Sequence, residues 1–179
     1  MHQNPNQHFL ETSILEFEKY KAMADKAIER LDANELHYIP NQASNSVAII
    51  MKHMKGNMIS RWTDFLTSDG EKPDRDRDTE FEEGKETKEE LMAIWEKGWT
   101  VFFNTLHSLK PEDMMATVYI RKEPHTAMKA FIRQLTHYAY HVGQIVFLAK
   151  LIKDNHWDSL SIPKGKSAEF LNKTPERPF

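Results

Sequence analysis

Four stretches of this chain repeat apolar residues at alternating steps of three and four, the period of helices that bury one face. The first is expected over about 6–32, with Leu10, Ile14, Phe17, Ala24, Ile28 and Leu31 on the seam and Lys21 off pattern. Asp32-Ala33-Asn34 should end it. The second, over about 45–66, opens on Ser44, Asn45 and Ser46, all good N-caps, and carries Val47, Ile50, Met54, Met58 and Phe65. The third, over about 86–109, carries Leu91, Ile94, Trp95, Val101, Phe102, Leu106 and Leu109, and Pro111 prevents its continuation. The fourth, over about 125–154, carries Met128, Phe131, Leu135, Val142, Ile145, Ala149 and Ile152. Four such helices in 179 residues predict one all-α domain over 1–179, a four-helix bundle with a single core.

The connections differ in character. Residues 67–85 are acidic and polar, with turn signals at Asp69-Gly70 and Lys72-Pro73, and read as a solvated surface loop. Their length allows a crossover of the whole bundle, so that helices two and three can run parallel. Thr117-Val118-Tyr119-Ile120, before Arg121-Lys122-Glu123-Pro124, is a β-type run that predicts an extended segment or small hairpin ahead of helix four. The tail from about 155 is irregular, punctuated by Pro163, Gly165, Pro175 and Pro178.

Composition removes several function classes. No apolar run approaches the roughly 20 residues that span a bilayer. The first residues lack the basic-then-apolar pattern of a secretion signal, so a cytoplasmic location is expected. A net charge of −3 argues against nucleic acid as a partner. The absence of cysteine excludes disulfides, thiolate metal sites and a cysteine nucleophile, so any metal must be held by nitrogen and oxygen.

Histidine placement then becomes informative. His137 and His141 stand at i and i+4 on helix four, so both imidazoles project from one face. At about 100° per residue they lie a quarter turn from the apolar stripe, on a strip shared with Gln134, Gln144 and Leu148, which suggests a pocket wall. On helix two, Ser46, His53, Asn57, Ser60 and Asp64 fall on one line beside the apolar seam. A polar line next to a core needs partners. His53 facing His137 and His141 would make a three-imidazole site for one divalent ion, with zinc, nickel or iron favoured by the donor type. Three protein ligands leave a position open, as reactive sites do and structural sites usually do not.

The other histidines are expected elsewhere. His125, read as the entry to helix four, lies about 18 Å along a helix from His137, too far to share an ion. His37 is expected on the surface or in packing, and His107 near the C-terminal dipole of helix three. His2, His8 and His156 lie toward the ends of the chain. Gly165-Lys166-Ser167 is not a phosphate loop, because Leu160 stands where its earlier glycine is required.

The chain resembles the DinB/YfiT-like superfamily. The resemblance rests on His53 within Ile50-Met51-Lys52-His53-Met54 and on His137-Tyr138-Ala139-Tyr140-His141. It looks similar to a bacterial subfamily without an assigned reaction, through the blocks Asn45–Ile50, Gly56–Leu66, Asp69–Pro73 and Arg133–Ile145. The resemblance implies a four-helix bundle, a homodimer and a metal held at the positions of His53, His137 and His141. Some relatives are metal-dependent thiol transferases and others are described as hydrolases.

The expectation is therefore a metal-dependent enzyme that activates a low-molecular-weight thiol or water against a small-molecule substrate. Asn57, Arg61, Asp64, Tyr138 and Gln144 are the polar candidates for orienting ligands or substrate, with Asn57 and Gln144 favoured because each lies one turn from a ligand. The alternative is a non-catalytic metal-binding stress protein or a ligand-sensing dimer.

Overall fold

The computed structural model describes residues 4–169, so His2, Pro175 and Pro178 lie outside the described residues. Helix α1 (Pro5–Glu29) starts at Asn4, whose side chain accepts from the Asn6 N–H, with Pro5 where no intrahelical donor is required. It stops before its apolar pattern does. Asp32 adopts extended backbone and, in a capping box with Glu35, starts a separate short helix α2 (Ala33–Leu36). Glu35 also pairs with Lys153 at 2.6 Å, anchoring α2 beside the end of the last helix.

Of three candidate caps, Ser46 is the one used: its hydroxyl accepts from the Ile49 N–H at 3.2 Å and starts α3 (Val47–Trp62). The helix ends short of the expected 66, because Thr63 is extended and Asp64 takes φ +50°. Asp64 therefore leaves the polar line to which its spacing assigned it. Phe65 also lies beyond the helix yet remains buried, stacked on Trp62 at 4.5 Å. Helix α4 (Lys88–Ser108) opens on a Thr87–Glu90 capping box.

The β-type run folds as a hairpin, β1 (Thr117–Ile120) with β2 (Glu123–Thr126), antiparallel with Val118 opposite His125. Arg121 and Lys122 both have positive φ, the two-residue turn whose twist suits a hairpin. Neither is glycine, and the Asp69 carboxylate supports them by accepting from both their N–H groups, at 2.9 and 2.7 Å. His125 consequently sits in a strand. Thr126 caps α5 (Ala127–Lys153), two residues later than the helix start read from spacing.

Side-chain contacts fix the relative directions of the long helices. Thr105 donates to the Trp62 carbonyl, and Gly98 faces Lys55, so α3 and α4 run in the same sense. A Cβ at Gly98 would stand 2.9 Å from the Lys55 Cα, which explains why a glycine is tolerated mid-helix at this crossing. Trp95 donates to Asp25 while Phe17 meets Phe102, so α1 opposes α4. His53 meets His141 while Trp62 meets Phe131, so α3 opposes α5. The fold is mainly helical, and its core is one continuous cluster centred on Phe17, Trp62, Trp99, Phe102, Phe131 and Tyr138. No helix among the described residues is long and apolar enough to cross a membrane.

Because α3 and α4 are parallel, the chain must return along α3 before α4 can begin. Contacts trace that return: Lys72 meets Ser60, Glu80 meets Gly56, and Lys52 meets Glu82 and Glu86. The segment expected to be a solvated loop is thus partly packed. The Arg75 side chain is only 5% exposed and Glu80 only 9%.

Candidate metal centre

Helices α3 and α5 cross so that His53, His137 and His141 face one another. The Nε2 atoms of His53 and His137 are 3.4 Å apart, and those of His141 and His137 are 3.1 Å apart. One ligand atom from each ring lies within 4.8 Å of the others. Two nitrogens bound at about 2.0–2.1 Å in a tetrahedral shell stand about 3.3–3.4 Å apart. The spacing therefore suits a common ion.

The opposite ring nitrogens decide which way each imidazole presents its lone pair. His53 Nδ1 lies 3.0 Å from the Glu80 carboxylate, and His141 Nδ1 lies 2.9 Å from Gln144 Oε1. Both acceptors hold the proton on Nδ1 and leave Nε2 free to bind. His137 is different. Gln134 Nε2 approaches its Nδ1 at 3.3 Å while also donating to Asn57 Oδ1 at 2.8 Å. That arrangement suits the tautomer with a proton on His137 Nε2. Ligation demands the other tautomer, which rotation of the Gln134 and Asn57 amides supplies by turning Gln134 Oε1 toward His137 Nδ1.

Burial, followed by the proximity of His141 and His53, pushes the His137 imidazole down to about 3. Burial and then His53 push His141 down to about 4, against the raising effect of Gln144. Both rings are neutral at neutral pH, the form a metal requires. Burial tends to raise the Glu80 carboxyl, but hydrogen bonds from His53 and Arg75 outweigh it and hold the group below its ordinary range. Arg75 grips both Glu80 oxygens at 2.8 Å, so the acceptor of His53 is itself fixed.

Glu80 was not legible as a site residue, because a carboxylate in an acidic loop ordinarily faces water. One signal was available. Gly56 occupies the middle of α3, one turn after His53, where glycine costs roughly 1 kcal/mol relative to alanine. Its missing side chain is the space Glu80 fills, since a Cβ there would lie 1.9 Å from Glu80 Oε1.

The polar candidates separate. Asn57 is buried and bonded to Gln134, and Gln144 is bonded to His141, so both reach the histidine network. Arg61 is buried and lines a cavity shared with His53 and His137. Tyr138 is wholly buried, with ring centroids 5.4 Å from Trp99 and 5.3 Å from Phe102, and it packs behind His137 rather than opening onto the cavity. Asp64 is exposed, and its carbonyl accepts from the Thr67 and Ser68 N–H groups outside the site. His125 is buried in the hairpin, apart from the three-histidine cluster, and His37 bonds to the Glu86 carbonyl at 2.9 Å.

The pattern of a family described as a protein of unknown function, DUF1572, matches residues 4–166. The chain belongs to the DUF1572 family. Comparison with curated proteins and with solved structures returns no match. For this DUF1572 member the donor set is nitrogen from three imidazoles, two of them tethered with Nε2 inward, and such a set fits a borderline divalent ion such as zinc.

Proposed function

We propose that this chain is a metal-dependent enzyme of the DinB/YfiT-like kind, a single-domain four-helix bundle that holds one divalent ion through His53, His137 and His141. The observation that carries the reading is the convergence of three imidazoles, with His137 Nε2 3.4 Å from that of His53 and 3.1 Å from that of His141 and one ligand atom of each ring within 4.8 Å of the others, and with Glu80 and Gln144 fixing two of the rings. When bound, a divalent ion supplies the Lewis acidity that lowers the pKa of a water or small thiol for attack on an electrophile. The chain's own residues set the stage for that step. Glu80, held by Arg75, keeps the His53 ring in one orientation. Gln144 does the same for His141, and the Gln134–Asn57 pair, with both amides turned so that Gln134 Oε1 faces His137 Nδ1, selects the ligating tautomer of His137. Three ligands leave room for a reactant, and the cavity beside His53 and His137 gives it a route in.

A cytoplasmic location, a small-molecule substrate rather than nucleic acid, and a homodimer belong to the same reading. The dimer is supported by α5, where Ile132, Tyr140, Phe147 and Leu151 make an exposed apolar stripe on one face, with Gly143 among them. The test is a panel of low-molecular-weight thiols and of water-labile esters and amides, assayed with zinc-, nickel- and iron-loaded protein. Turnover that disappears in His53→Ala while the circular dichroism spectrum persists is expected. A metal-loaded protein inert across the panel, unfolding cooperatively on chelation, would favour a structural or sensing role instead.

A further inference from the structure

Beside the histidines lies a cavity of about 220 Å³ whose wall is unlike the rest of this acidic chain. Five arginines line it: Arg61 from α3, Arg75 and Arg77 from the return segment, Arg121 from the hairpin turn, and Arg133 from α5. Their ion pairs involve two carboxylates. Glu80 is gripped by Arg75, and Glu71 is shared by Arg121 at 3.1 Å, Arg75 at 3.4 Å and Arg61 at 4.0 Å. Arg77 rests on the Phe81 ring, 5.0 Å from its centroid, and Arg133 has no carboxylate partner among the described residues. Five guanidinium charges facing two carboxylates leave an excess of three positive charges around a small space, in a chain whose net charge is −3.

Arg61 makes the case specific. It is 6% exposed, and among the described residues its buried Nε has no hydrogen-bond partner and its only ion pair is the 4.0 Å approach to Glu71. A buried guanidinium left this incompletely paired costs stability unless a ligand completes it. Guanidinium groups recognise planar or tetrahedral oxyanions through paired N–H donors, and four separate segments converge to supply them here. The volume is about that of seven liquid waters, room for a phosphoryl or carboxylate-bearing group and not for a polymer.

We propose that this cavity binds an oxyanion, the phosphate or carboxylate of a small acidic substrate, and so holds the adjoining part of that substrate against the His53–His137 side of the metal centre. The assignment of the oxyanion to a substrate rests on the metal-centre reading above. Arg61 and Arg133 are the principal clamps, because neither is neutralised by a close carboxylate. Arg121 and Arg77, both exposed at the cavity, add to its attraction for the anion.

The test is isothermal titration of inorganic phosphate and of succinate into the zinc-free and zinc-loaded protein, for the wild type, Arg133→Gln and Arg61→Gln. At least one of the two anions should bind the zinc-free wild type saturably and bind at least tenfold more weakly in both variants. The anion that binds more tightly identifies the substrate's acidic group. Should Arg61→Gln fail to fold, the exposed Arg133→Gln decides alone. Zinc binding with no saturable uptake of either anion, or uptake unchanged in Arg133→Gln, overturns the oxyanion site and leaves the metal reading intact. Failure of the wild type to bind zinc overturns the metal reading and the substrate assignment with it, whatever the phosphate result in the zinc-free protein.

Discussion

Replacing Gly56 with alanine should weaken metal binding without unfolding the protein. The added Cβ would lie 1.9 Å from Glu80 Oε1 and 2.5 Å from its Cδ, so the carboxylate must move by more than an ångström. The clash is with the far end of a flexible side chain, and displacement relieves it. That displacement breaks the 3.0 Å bond to His53 Nδ1 and disturbs the Arg75 pair. Alanine in a helix interior returns about 1 kcal/mol relative to glycine, while losing a hydrogen bond to a charged group costs about 1.5–3 kcal/mol. The net loss of stability should be about 0.5–2 kcal/mol, measurable by urea denaturation. Metal affinity should fall further, by roughly 10–100-fold, the usual effect of removing the acceptor behind a ligating imidazole. Competition with a chromophoric chelator measures it. Unchanged affinity in a folded Gly56→Ala protein would refute the claim that Glu80 orients His53.

Other outcomes follow from the same contacts. Gln134→Leu removes the group that selects the His137 tautomer and should also lower metal affinity by at least tenfold in the chelator assay, with a smaller effect on the urea midpoint. In metal-free protein, His137 and His141 resist protonation down to about 3 and 4, whereas the unfolded chain takes up those protons near 6.5, the ordinary value for histidine. Their contribution to stability is complete above pH 6.5 and is lost as pH falls from there toward about 4 for His141 and about 3 for His137. Urea midpoints across that window should decline less steeply in His137→Gln/His141→Gln than in the wild type, and equal slopes would contradict the assignment. Asp69→Ala removes the acceptor for the Glu71, Arg121 and Lys122 N–H groups, two of them in a positive-φ turn. It should destabilise the protein by about 1–3 kcal/mol in urea and increase amide exchange across the hairpin.

The helices were legible because each buries one face, and burial imposes a period that a reader of the sequence can follow. The same logic brought His53 to His137 and His141 before any coordinates, through polar strips flanking two apolar seams. Their ends were less legible. Asp64 continues the strip of α3 arithmetically, yet the helix stops at Trp62 because Asp64 itself turns into positive φ. His125 resembles a helix entry until the hairpin claims it and Thr126 becomes the cap. Glu80 and the arginine-lined cavity had no period to reveal them, since their residues come from a return segment, a turn and two helices. Only Gly56, an unfavoured residue in mid-helix, hinted that something packed against that side of α3.

Metal binding by this chain requires three imidazoles to share one ion. X-ray absorption spectroscopy on protein purified without an affinity tag and loaded with one equivalent of zinc measures this directly. The predicted result is one zinc per chain with three histidine nitrogens at about 2.0–2.1 Å and one further oxygen or nitrogen ligand that is not histidine, reduced to weak, histidine-poor binding in His53→Ala. Zinc that binds equally well, in an unchanged shell, after His53, His137 or His141 is replaced would contradict the account.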